Sequence, residues 1–191
     1  MHRFNPAHLD RLLRPERRQW QDPDAIFATL GLRSGMVVAD VGSGPGFFTL
    51  PAATLVGSGG RVYAVDVEPQ MRERVRERAN EAKLGNVETL VSTDETVPVP
   101  GSSIDLALLS NVLHECTQPV ALLRDIARAL RPEGSLALIE WRKKTTEVGP
   151  PVEERLAEED ARELLRQAGF GEIEPFPVGP HHYGLRAGIA Q

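Results

Sequence analysis

The chain has one cysteine, Cys116, among 191 residues. That excludes an internal disulfide framework and fits a reducing compartment. No apolar run approaches the length needed to span a bilayer. Positive charge is not in excess either: 22 Lys and Arg stand against 27 Asp and Glu, a formal net charge of −5. The balance gives no global reason to expect a nucleic-acid partner. Internal repeats and low-complexity segments are missing. The N-terminal stretch MHRFNPAHLDRLLRPERRQW is basic but lacks the apolar segment of a secretory signal. A cytoplasmic protein with no membrane partner is the expectation. What is present, 41% hydrophobic and 26% charged residues, is the balance of an ordinary globular domain with one substantial core.

From Met36 onward, short runs of Val, Ile and Leu alternate with amphipathic ones. Strands are expected at MVVADV, RVYAVDV, VETLVST, IDLALLSNV and GSLALIEW. Helices are expected at FFTLPAATLV, PQMRERVRERANEAK, PVALLRDIARAL and EEDARELLRQAGF, with Pro51 costing the first of them a hydrogen bond. EIEPFPV and HHYGLRAGI read as a closing hairpin running against the other strands. Continuous apolar strands between helices indicate a sheet covered on both faces. The expected fold is therefore α/β: a doubly wound, Rossmann-like, seven-stranded, mostly parallel sheet with an antiparallel C-terminal strand. Residues 1–34 form a separate helical segment, with helical spacing in PAHLDRLL and PDAIFATLGL, and residues 35–191 form the domain. A structured loop is expected over 141–156.

The stretch VVADVGSGPGFFTL carries the chemistry. A buried strand ends at Asp40, breaks into Gly42, Gly44 and Gly46, and restarts as a helix. Glycines let the chain turn sharply and let a ligand approach main-chain N–H groups, and a helix N-terminus adds unpaired donors. A nicotinamide dinucleotide site would want G-x-G-x-x-G/A. Phe47 occupies the last of those positions and is too bulky, so the pattern is D-x-G-x-G-x-G. Alone, this loop could be a structural turn, Asp66 a surface acid at a strand end, and Asp94 an N-cap or turn residue.

Four segments come in order: VVADVGSGPGFF, VYAVDVEPQM, VSTDETVPVPGSSIDLALLSNVLHE and LLRDIARALRPEGSLALIEW. Together, over roughly residues 30–190, they resemble the class I S-adenosylmethionine-dependent methyltransferases, the quinone and arsenite branches in particular. The resemblance implies S-adenosylmethionine as cofactor, with Asp40 in its site. It implies backbone contacts from Gly42, Ser43 and Gly44 to the methionine moiety, and Asp66 accepting from both ribose hydroxyls. It places Asp94 at adenine N6 with a nearby amide from Glu95, and Asn111 and Val112 beside the sulfonium. It also suits residues 1–34 to a lid over the acceptor, the alternative being a helix with a charged solvent face. One thiol cannot bind arsenic as that branch does, so Cys116 is expected as a small buried residue. The N-P-P-[YF] signature of base methylation is absent, since that position reads SNVLHE.

Methyl transfer needs near-attack geometry and exclusion of water, and a base only when the acceptor loses a proton. The catalytic candidates are His114 and Tyr183. His114, next to Glu115, is a general base or clamp, or else a helix-start residue bonded to backbone or Glu115. His181, His182 and Tyr183 form a second cluster, and one histidine could line the pocket. Adjacent strand residues point to opposite faces, so no metal site is expected. EWRKK either positions an anionic substrate or is a solvated loop, and Trp141 walls a pocket or merely packs. The expected function is methyl transfer to a small-molecule acceptor. The rivals are an RNA or protein methyltransferase using Arg3, Arg11, Arg14, Arg17 and Arg18, which outnumber Asp10 and Glu16 there, and a non-catalytic cofactor-binding module. Acceptor identity, the methylated atom and the oligomeric state stay open.

Overall fold

The computed structural model describes residues 12–190, so the helix expected over PAHLDRLL lies largely outside the described residues. A short 3-10 helix, Pro15–Gln19, leads into α1, Pro23–Leu30. The domain follows as β1 (Val37–Val41), α2 (Thr49–Val56), β2 (Arg61–Asp66), α3 (Pro69–Glu81), β3 (Val87–Val91) and β4 (Ile104–Ser110). It closes with α4 (Pro119–Ala129), β5 (Leu130–Trp141), α5 (Glu158–Gln167), β6 (Phe170–Phe176) and β7 (His182–Ile189). The seven strands form one sheet in the order β3-β2-β1-β4-β5-β7-β6. Only β7 runs against its neighbours; β6, antiparallel to β7, therefore runs with the rest. The expected hairpin is present, but one of its strands, not both, opposes the sheet.

The two-residue strand period explains why the core strands are apolar throughout. Val38, Leu106, Leu108, Ala137 and Ile139 pack with Ile26 and Phe27 of α1, Phe48, and Ala52 of α2. Their neighbours Ala39, Val41, Ala107, Leu109, Leu136 and Leu138 pack with Leu122, Leu123 and Ile126 of α4 and Leu165 of α5 on the opposite face. Proline opens α1, α3 and α4, where its fixed φ suits the first turn and its missing N–H has no intrahelical partner.

Two boundaries differ from the sequence reading. α2 starts at Thr49, two residues late, because Phe47 and Phe48 turn into the core, their rings edge-to-face at 5.0 Å. Pro51 thereby falls in the first turn, where the missing donor costs no helical bond. β5 begins at Leu130, directly after α4 and four residues early, and the β4–β5 ladder shifts register between Ile104 and Leu106. Gly134 sits at that shift, where a Cβ would lie 2.9 Å from the Ile104 carbonyl oxygen. Among the described residues no helix is long and apolar enough to cross a membrane.

Candidate active site at the carboxyl ends of β1, β2, β4 and β5

Strand order reverses between β1 and β4, so the connections leaving their carboxyl ends diverge and open a crevice there. A cavity of about 860 Å³ fills it. It is lined by the Asp40–Pro45 turn, Asp66 to Glu68, Ser92 to Asp94, Ser110 to Val112, His114 and Trp141, among others. The glycine loop makes this cavity possible. Gly42 has φ +70°, and a Cβ there would stand 2.2 Å from Val112 Cγ2, so only glycine lets the β1 and β4 turns approach so closely. Gly44 also adopts a left-handed conformation, φ +51°, and donates its N–H to Asp66 Oδ2 at 2.8 Å.

Asp66 is buried at the end of β2, and the Glu68 N–H donates to its other oxygen at 2.9 Å. Each carboxylate oxygen thus keeps a lone pair for a further donor. Burial raises its pKa, opposed by these two main-chain bonds. Asp40 is also buried, and Thr49 Oγ1 donates to its Oδ2 at 2.6 Å. Burial, with the Asp66 charge adding to it, pushes Asp40 up to about 6 against the Thr49 bond and Arg17. Asp94 lines the same cavity and accepts from Thr117 Oγ1 at 2.6 Å. Glu95 is exposed and does not line it; its amide N–H is turned to Thr93 Oγ1 at 3.2 Å, closing a local turn.

Past β4, Asn111 holds a left-handed φ of +58°, rare for a residue with a Cβ and found where surroundings over-determine the backbone. Three residues on, His114 Nδ1 lies 2.7 Å from Glu140 Oε2. Glu140 has no solvent exposure, and its other oxygen accepts the His114 main-chain N–H at 3.3 Å. Nε2 stands 3.7 Å from Glu115 Oε1. Burial draws the imidazole pKa down, but the Glu140 hydrogen bond and the charges of Glu140, Glu115 and Glu154 outweigh it and raise it. With Glu140 as acceptor, Nδ1 carries a proton and Nε2 is the atom left for exchange.

Tyr183 needs correction. β7 pairs it with Glu140, on the face covered by α4 and α5. It is 3% exposed, lines no part of the cavity, and donates its hydroxyl to the carbonyls of Leu156 and Ala157 at 3.2 and 3.5 Å. Burial and the nearby carboxylates push the phenol well above its ordinary value. It anchors the chain entering α5. His181 and His182 do not line the cavity either; they stand behind two tryptophans that do. The His181 ring meets Trp20 edge-on at 5.9 Å, and the His182 ring lies 4.0 Å from Trp141. Burial, with neighbouring cations, holds His182 down at about 3, so it is neutral. Among the described residues no group of three or more His, Cys, Asp and Glu could hold a metal ion.

The loop between β5 and α5 supplies a further wall through Glu147 to Pro151 and Glu154. Arg155, 3% exposed, organises it. Its guanidinium donates to the carbonyls of Arg142, Lys144, Val148 and Pro150 and to the Thr146 hydroxyl, at 2.7–3.1 Å. Gly149 turns at φ +92° against the Trp141 ring, where a Cβ would lie 2.9 Å away. The sequence reading takes Glu140 only as the first residue of EWRKK, a segment for an anionic substrate or a solvated loop, and not as the partner of His114; Arg155 it does not single out. An acid inside an apolar strand was the available signal for Glu140, and Arg155 carried none.

The chain matches the methyltransferase-domain family model over residues 39–138, more than half its length. A S-adenosylmethionine-dependent methyltransferase from Aquifex aeolicus is 33% identical and superposes with a TM-score of 0.93, over 98% of this chain and 100% of the other. The chain belongs to the S-adenosylmethionine-dependent methyltransferases. Its cavity fits that cofactor: a glycine turn with no room for a Cβ at Gly42, an acid at the β2 end with acceptor capacity left, and a second acid beyond β3. Curated relatives include the ubiquinone/menaquinone biosynthesis C-methyltransferases UbiE of Hydrogenovibrio crunogenus, 35% identical over 60% of this chain, and of Enterobacter sp. strain 638, 33% over 61%. The matches span only 46% and 47% of those relatives. The cyclase SpnF superposes with a TM-score of 0.74 at 21% identity, a likeness of fold alone.

Proposed function

We propose that this methyltransferase acts on a small hydroxyaromatic acceptor of the quinol type, with His114 as general base. The observation that carries the reading is the His114–Glu140 pair at the cavity wall, three residues beyond Asn111. Bound S-adenosylmethionine supplies an electrophilic methyl group on a sulfonium. The residues of the chain do the rest. Gly42 to Gly44, Asp66 and Asp94 hold and orient the cofactor, and Asn111 and Val112 border the reacting end. Trp20, Trp141, Val148, Pro150 and Pro151 form an apolar wall that suits a flat ring and excludes water. An acceptor of this kind must lose one proton for each methyl gained, and His114 Nε2 takes it while Glu140 stabilises the resulting imidazolium.

The acceptor class is supported by the names of the UbiE relatives and by the apolar wall. RNA is disfavoured by charge: Glu68, Glu115, Glu147 and Glu154 line the cavity against Arg14 and Arg17. Residues 1–34 act in this reading as the lid, Leu12, Arg14, Arg17 and Trp20 being its cavity-lining part. The single thiol, Cys116, suits the cytoplasm. The test is incubation of the full chain with methyl-labelled S-adenosylmethionine and demethylated benzoquinols and naphthoquinols. Label should enter a quinol with the wild-type chain and fall about 10²–10⁴-fold in rate with His114→Gln. Label entering only RNA or protein, or a variant as fast as wild type, contradicts the proposal.

A further inference from the structure

Arg17 reaches the cavity from the short helix ahead of α1. Its guanidinium lies 4.0 Å over the Phe47 ring and 5.6 Å from that of Phe48. Nε donates to Gln21 Oε1 at 3.0 Å and Nη1 to the Leu12 carbonyl at 3.1 Å. Neither acceptor is charged. Arg18, Arg61, Arg128 and Arg162 each meet a carboxylate within 3.1 Å. Among the described residues Arg17 has no such ion pair, and Asp40 acts on it only through space. Burial draws the guanidinium down to about 10, with Asp40 opposing. Asp40 itself is a buried carboxylate whose hydrogen-bond donors, the Thr49 hydroxyl and the Thr49 main-chain N–H, are both neutral. One cavity thus holds a cation and an anion, each desolvated and neither neutralised by a direct partner, and such charges are costly unless paired. A ligand end carrying both a carboxylate and an ammonium would complete both.

Gln21 extends the arrangement. It is fully buried, and its Oε1 accepts from Arg17 Nε and also from Asn111 Nδ2 at 3.5 Å. Gln21 Nε2 and Asn111 Oδ1 are buried without a hydrogen-bond partner. Arg17, Gln21 and Asn111 therefore link the N-terminal segment, which contributes Trp20 to the cavity, to the strained residue at the end of β4.

We infer that Arg17 binds the carboxylate of the cofactor's amino-acid tail and, through Gln21, ties cofactor occupancy to closure of the N-terminal segment over the acceptor chamber. The inference rests on the cofactor reading of this cavity. It makes binding ordered, with cofactor first, because the wall formed by Trp20 is secured only when Arg17 has its anion. It also means that removing this segment weakens cofactor binding as well as acceptor binding.

The test compares S-adenosylhomocysteine with 5′-methylthioadenosine, which share adenosine and an uncharged thioether and differ in the amino-acid tail. Calorimetry on the full chain should show Arg17→Ala weakening S-adenosylhomocysteine about tenfold or more, the loss of a charge-assisted bond, with methylthioadenosine held within about twofold. Arg17→Lys, which keeps the charge but not the fork, should fall between. Hydrogen exchange over residues 12–22 should slow with S-adenosylhomocysteine and not with methylthioadenosine. Equal losses for both nucleosides, or equal protection by both, would make Arg17 a packing residue and overturn the inference. A wild-type chain that binds neither would instead overturn the cofactor reading beneath it.

Discussion

His114 Nδ1 and Glu140 Oε2 stand 2.7 Å apart across the carboxyl ends of β4 and β5, with the carboxylate sealed from solvent. The same carboxylate accepts the His114 main-chain N–H, so it fixes both the ring and the backbone that carries it. A histidine held in this way has one tautomer and one free nitrogen. In the proposed mechanism the two residues have separate roles: His114 would meet the acceptor, and Glu140 would position His114 and stabilise its charge.

Glu140→Gln should preserve shape while removing that charge. The His114 pKa, raised above its ordinary 6.5 chiefly by Glu140 against the pull of burial, should then fall. With His114 as the proposed general base, activity would need the neutral imidazole, so the acidic limb of the rate profile should lie above 6.5 in the parent and move to lower pH in the variant. The maximal rate should drop about tenfold or more, short of the about 10²–10⁴ for losing the base itself. Stability gives a second reading. The pair's contribution is full below the unfolded pKa of 6.5 and is lost as pH rises through the raised folded value. Denaturant titrations at pH 5.5 and 8.5 check this, and an unshifted acidic limb would contradict it.

Asp40→Asn should stabilise the ligand-free protein at neutral pH. The buried carboxyl, raised from 3.8 to about 6, favours folding fully below its unfolded pKa, and that contribution is lost as pH rises through about 6. The charged form at pH 7.5 opposes folding by up to about 3 kcal/mol, while Asn can still accept from Thr49. Thermal melts at pH 7.5 should therefore rise for the variant and converge with the parent near pH 3.5. Cofactor affinity should fall in the same variant. A lower melting temperature at both pH values would show that the Thr49 bond, and not desolvation, dominates.

Arg155→Met removes five donors that gather the loop of residues 142–157. S-adenosylhomocysteine should bind within about threefold, since the proposed function gives this loop to the acceptor wall, while the Michaelis constant for the acceptor should rise about tenfold. Trypsin should cut faster after the exposed Lys143 and Lys144. Cleavage at the parent rate would mean that the loop is held by something else.

The sheet and its helices could be read from period and punctuation, because continuous Val, Ile and Leu runs between amphipathic segments admit few arrangements. The glycine turn was legible for the same reason: few other uses need three alternating glycines after a strand-end acid. Tyr183 and Glu140 were not. Residues 182 and 183 point to opposite faces in any strand, but which face borders the cavity depends on β7 sitting beside β5 in one register. That register sends Tyr183 under α5 and turns Glu140 toward His114, and nothing local in EWRKK or HHYGL encodes it. Arg17 was legible as one charge of a basic lid or solvent face, and not as a buried cation beside Asp40. Its burial comes from Phe47 and Phe48, which pack inward rather than opening the helix.

Placing S-adenosylmethionine in the cavity at the ends of β1, β2 and β4 underlies every role given above to a side chain. Calorimetry of the full chain against that cofactor, with and without Asp66→Ala, tests it most directly. Asp66 offers an acceptor on each oxygen beside Gly44 and Glu68, and each charge-assisted bond is worth roughly 1.5–3 kcal/mol. The parent should bind at one site per chain, and Asp66→Ala should bind at least about tenfold more weakly while still melting cooperatively. Unchanged affinity in Asp66→Ala, or no binding by the parent, would contradict it.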